Sequence, residues 1–148
     1  MFQRRSTRGE RVVTRLSELE GAVLGLLWSD GPLTAYVIRS RFLKSRSSHF
    51  SGSAGAIYPL VGRIAAAGLV TLEATSRGKR ASKLYRINGA GRRALRAWLT
   101  PVEDWMAAVE FDPIRSRVHF LGALPAAQRT RFFREAAKQL AGAGEDPT

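Results

Sequence analysis

Apolar positions in this chain recur first at helical spacing, then at strand spacing, then at helical spacing again. Ser17-x-x-Glu20 forms a capping box, and Leu19, Val23, Leu26 and Leu27 follow it on one helical face. Asp30-Gly31-Pro32 should end that helix. Thr34 can cap a second, with Tyr36, Val37, Ile38, Phe42 and Leu43 as apolar members and Arg39, Arg41 and Lys44 outward. The Ser-rich run 45–52 reads as a loop. Ser53 is placed to cap a third helix with the inward stripe Ile57, Leu60, Val61 and Ile64, and Gly68 to close it. Pro59 is compatible with that helix if it starts late, near Ala56, because first-turn amides need no partner.

Val70, Leu72 and Ala74 then alternate with Thr71, Glu73 and Thr75, which is strand patterning. The polar run Ser76 to Ser82 should turn the chain, and Lys83, Tyr85 and Ile87 share one face of a return strand. Asn88 caps a helix carrying Leu95, Trp98 and Leu99. Thr100-Pro101-Val-Glu103 reads as a further capping box with proline at the first helical position. Asp112-Pro113 repeats the signal ahead of Ile114, Val118 and Leu121, and Pro125 opens a last helix with Phe132, Phe133, Ala136, Ala137 and Leu140. The tail from Ala141 to Thr148 is small and polar and should fray. The pattern predicts a mainly α fold with one small β-hairpin. Residues 1–15 form a basic arm, 16–99 a winged helix-turn-helix, 100–141 a helical dimerisation region and 142–148 a disordered tail.

Charge sharpens this picture. The 148 residues carry a net +12, which calls for a polyanionic partner. Residues 1–99 hold 18 Lys and Arg against 5 Asp and Glu, whereas residues 100–148 hold 6 against 7. The cationic work therefore belongs to the helix-and-hairpin part. A helix followed by a hairpin tipped Arg77-Gly-Lys79-Arg80 suits duplex DNA: the helix fits the major groove, and the tip with Lys83 reaches phosphates. Arg63 faces outward from the same helix, toward a phosphate in preference to a base, and Ser53 at its start can bind a phosphate as well as cap.

Several function classes drop out. There is no cysteine and only two histidines, His49 and His119, so no metal site or cofactor is expected. No Ser/His/Asp set or phosphate-cradling loop is present, and Glu103 and Asp104 diverge on a helix, so the chain does not read as an enzyme. No leader-like core or spanning segment is found, which points to a cytoplasmic protein with no membrane partner. A protein for structured RNA or the ribosome shares the charge signature, but aromatic platforms for unpaired bases are not evident.

Three stretches together carry a family resemblance: Ala54-Gly-Ala-Ile-Tyr-Pro-Leu-Val-Gly-Arg-Ile, Ala67-Gly-Leu-Val, and Leu84-Tyr-Arg-Ile-Asn-Gly-Ala-Gly-Arg-Arg-Ala-Leu95. The chain resembles the PadR family of bacterial transcriptional regulators over roughly residues 16–99, and the run from Phe111 to Pro125 resembles the helical extension of many members. The resemblance implies a homodimeric repressor on a pseudo-palindromic operator, released by a small-molecule effector. It also implies a backbone contact from the Tyr58 hydroxyl, and it makes Trp98 and Trp105 candidates for stacking on an effector. Ile114, Val118, Phe120, Leu121, Phe132 and Phe133 are the expected dimer interface. Ala56 stands where the family carries Ser or Thr, and Ala35 where it commonly carries Gly.

Overall fold

The computed structural model describes residues 15–77, 80–107 and 113–143. Helix α1 spans Glu18–Asp30, and its predicted capping box is formed: Glu20 N–H donates to Ser17 Oγ at 3.1 Å and Ser17 N–H to Glu20 Oε1 at 3.3 Å. Strand β1, Leu33–Thr34, leads directly into α2, Ala35–Leu43, where Val37 N–H donates to Thr34 Oγ1 at 3.2 Å. Within α2 only Ile38 and Phe42 are buried; Tyr36 and Leu43, expected among its apolar members, are exposed. Ile38 and Phe42 define the inward face, and Tyr36 lies two residues, about 200°, around the helix from Ile38.

The Ser-rich run expected to be a loop contains a short helix, α3, Ser48–Gly52. A single 3-10 turn, Ala54–Ala56, joins it to α4, Ile57–Ala66. Ser53 does not cap α4. Its hydroxyl donates back to the His49 carbonyl at 2.6 Å, closing the end of α3, and the cap position of α4 is Ala56. The late start makes Pro59 the third residue of α4, inside the turn where its missing N–H costs nothing. Ile57, Leu60, Val61 and Ile64 are essentially inaccessible to water, as the spacing predicts. Gly68, at φ 74°, takes the left-handed conformation that ends the helix.

Strands β2, Val70–Arg77, and β3, Arg80–Ile87, form the hairpin, so most of the polar run expected to turn is itself strand. Strand β1 adds to β3, giving a three-stranded antiparallel sheet in the order β1-β3-β2, with Leu33 opposite Tyr85 and Val70 opposite Ile87. Helix α5, Gly89–Leu99, is capped by Asn88, whose side chain accepts from Gly91 N–H at 2.9 Å. Gly91 is required there, because a Cβ would come within 2.1 Å of the Leu69 carbonyl oxygen.

The capping box expected after α5 does not form. Thr100 is the C-cap of α5, Glu103 accepts from the Trp105 indole N–H at 3.0 Å, and Asp104–Ala107 is a 3-10 turn. Helix α6, Pro113–Val118, and α7, Ala126–Ala143, follow, the latter running two residues into the expected tail. One core joins the two halves: Leu24, Leu27 and Ile38 share it with Leu99, Ile114, Leu121 and Phe132. Among the described residues one charged side chain is buried within it. Arg117, 2% exposed, donates to both Glu18 carboxylate oxygens at 2.6 and 2.8 Å and to the carbonyls of Trp98 and Pro113.

Candidate nucleic-acid interface

Burying Ile57, Leu60, Val61 and Ile64 fixes the rotation of α4, and with it the face left outside. That face carries Tyr58, 52% exposed, with Pro59, Gly62 and Arg63 also exposed. Among these only Tyr58 and Arg63 offer hydrogen-bonding side chains. No side chain caps α4; its first amide, Ile57 N–H, is held by the Ala54 carbonyl of the preceding turn, and its third residue is Pro59.

The hairpin extends beyond the core. Val70 and Ile87 at its base are buried, whereas Leu72, Ala74 and Lys83 further along are exposed. Arg77 and Arg80 occupy directly opposed positions in the β2–β3 register. Lys79 lies outside the described residues. Arg86 is partly neutralised by Glu73, at 3.0 Å, and so adds less to the cationic field than Lys83.

Sequence reasoning missed Tyr36 as a member of this surface. It is 68% exposed beside Thr34, at the capped start of the helix that crosses the backbone in helix-turn-helix docking. The missed signal is the angular offset from Ile38 and Phe42, hidden because Tyr36-Val-Ile reads as an apolar run.

The two expected effector residues differ in exposure. Trp98 is 7% exposed; its indole N–H donates to Glu18 at 3.2 Å, and the Arg117 guanidinium lies 4.1 Å from its ring centroid. Both polar edge and face are therefore occupied, and the ring is core. Trp105 is half-buried, with its N–H held by Glu103. Among the expected interface residues, Ile114, Leu121 and Phe132 are buried within the protomer itself, and the Phe120 ring lies close against Gly25. Val118 and Phe133 remain exposed, and Phe120 is half-buried. Among the described residues no three metal-ligating side chains cluster, and no helix is long and apolar enough to cross a membrane.

A helix-turn-helix with a β-wing defines the class, and comparison with known proteins defines the family. The model described as "Transcriptional regulator PadR-like family" matches residues 23–97, and the chain belongs to that family of transcriptional regulators, which are not enzymes. The fold is similar to that of Bacillus subtilis PadR in complex with operator DNA, at 24% identity and TM-score 0.53, covering 86% of this chain and 72% of that one. The same protein in complex with p-coumaric acid gives 22% identity and TM-score 0.47, covering 88% and 76%. A PadR-like transcriptional regulator from Bacillus cereus gives 20% identity and TM-score 0.48, covering 87% and 91%. No curated protein matches the sequence.

Proposed function

We propose that this regulator is a homodimeric, sequence-specific binder of double-stranded DNA that represses transcription and is released by a small-molecule effector. The observation that carries the DNA reading is the shared direction of charge and shape. Helix α4 keeps a narrow outer face bearing Tyr58 and Arg63, and the hairpin that follows it carries Arg77, Arg80 and Lys83 in its strands, with Lys79 between them in the sequence. Tyr36, exposed at the start of α2, adds a neutral hydroxyl of the kind that fixes register on phosphates.

The dimer reading draws its support from α7. Ala126, Thr130, Phe133, Ala137 and Leu140 are all exposed and follow one another at alternating steps of four and three residues. That is the seam spacing of paired helices, about 100° around α7 from the buried Phe132 and Ala136. Two-fold pairing then calls for a pseudo-palindromic operator.

The test is anisotropy of a labelled operator duplex with the full chain, against single-stranded RNA of equal length, together with sedimentation of the protein. Duplex preference and a dimer mass are expected. Equal retention of the RNA, or a single-subunit mass, overturns the reading.

A further inference from the structure

The segment from Pro113 to Gly122 is fastened to α1 at two heights. At the first, Arg117 joins three elements. It donates to the Glu18 carboxylate of α1 at 2.6 and 2.8 Å, to the Trp98 carbonyl near the end of α5 at 3.1 Å, and to the Pro113 carbonyl of its own helix at 2.9 Å. Trp98 closes the cluster: its N–H donates to Glu18 at 3.2 Å, and its ring lies so near Gly21 that a Cβ there would come within 2.2 Å. The second fastening lies seven residues, about 10.5 Å, further along α1, where a Cβ on Gly25 would come within 2.7 Å of the Phe120 ring. That one is shape alone. Apolar surfaces repack at small cost, whereas a forked guanidinium–carboxylate pair sets both distance and direction. Stability alone does not call for the pair, because apolar side chains of equal volume often hold a fold as well. Its place in the chain gives it another use. Helix α1 shares its core with Ile38 of α2, and α7, with its exposed stripe, begins at Ala126 just after the fastened segment.

We propose that Glu18 and Arg117 are positioning residues: they fix the angle between the helix-turn-helix and α7, and so confine the protein to one half-site spacing. With the pair intact, two chains joined through α7 hold their α4 helices at one separation and one rotation. Without it, Phe120 against Gly25 becomes a pivot. Each base pair added between half-sites moves the second by about 3.4 Å and turns it by about 35° around the duplex. A pivot absorbs such a step and a fixed angle does not. The spacing half of this proposal rests on the dimeric DNA-binding reading; the fixed angle rests on the contacts alone.

The chain has no cysteine, so Ala66→Cys at the end of α4 and Arg134→Cys on α7, both exposed, accept a spin label each at chosen places. Labelled full chain, diluted with unlabelled chain, is measured by pulsed dipolar spectroscopy. One narrow distance is expected with the pair intact, and a distribution about twice as broad with Arg117→Met or, should that variant not fold, Glu18→Gln. Leu95→Ala is the control, a core truncation in α5 that removes none of the bonding groups. Equal widths with and without the pair overturn the proposal, as does equal broadening by Leu95→Ala, which would assign the effect to loosened packing. Anisotropy then compares a lone half-site with duplexes whose two half-sites stand at the best spacing and two base pairs to either side. Unlabelled wild-type chain should lose about tenfold or more off the best spacing, and the pair variants about threefold or less, with wild-type affinity for the lone half-site. Wild-type spacing preference in the variants, or loss of their lone half-site affinity, overturns the spacing half alone. A chain that shows the contrast in widths but binds no duplex sinks the DNA reading, and the spacing half with it, and leaves the fixed angle standing.

Discussion

Arg117 and Glu18 form an asymmetric pair: the arginine side chain is 2% exposed and the carboxylate 17%. Removing either partner breaks the same two hydrogen bonds, but the group left behind differs. Glu18→Ala strands a buried guanidinium with no counter-charge, held by the Trp98 and Pro113 carbonyls and the face of the Trp98 ring. That change should cost about 3–5 kcal/mol. Arg117→Met leaves a carboxylate that can still reach water and keeps the Trp98 N–H, while the methionine refills the stem's volume. It should cost clearly less. Urea melts at constant m-value check the order; equal losses would show that the cluster acts through packing alone. The same pair explains why Trp98 reads from sequence as a ligand platform. Its neighbours Glu18 and Arg117 are 80 and 19 residues away along the chain, and nothing local announces them.

At the scale of elements, what was legible followed from local chemistry. The capping box and caps at Ser17, Thr34 and Asn88, the stripe of α4 and the strand alternation after Val70 all depend on neighbours within a turn or a pair. What was not legible depends on distant neighbours. Strand β1 has two residues and exists because Leu33 and Thr34 pair with Tyr85 and Leu84. Helix α3 is a single turn held by Phe50 packing on Phe42, too short to leave a periodic signal. The second capping box failed because Glu103 is drawn away by Trp105 and Arg15. The wing is the element whose role can be read by salt. Replacing Arg77, Lys79 and Arg80 with Ala should weaken operator and random duplex nearly equally. It should also reduce the slope of log affinity against log salt by about 0.9 for each phosphate no longer neutralised. An unchanged slope would mean that these residues do not meet phosphates. Tyr36→Phe should weaken both duplexes by a small common factor without moving that slope, since a neutral hydroxyl releases no counterion.

For the whole molecule, the charge division becomes a division of labour. The first 99 residues carry the excess of +13, and the remaining 49, nearly neutral at −1, include the exposed stripe of α7 through which pairing is proposed. A rigid dimer ties two recognition helices to one helical repeat of DNA, so half-site spacing should centre on about 10–10.5 bp or a multiple. Inserting about 5 bp, half a helical turn, between half-sites puts the second one on the opposite side of the duplex, and wild-type affinity should fall to that of a single half-site. Phe133→Glu places a charge in the middle of the seam at a site 54% exposed in the protomer, so the fold tolerates it while pairing does not. That variant should sediment as one subunit and bind a lone half-site as the wild type does. Its affinity should be indifferent to the half-turn insertion. Spacer sensitivity that survives in Phe133→Glu would locate the pairing surface away from α7, with exposed Val118 as the next place to put a charge.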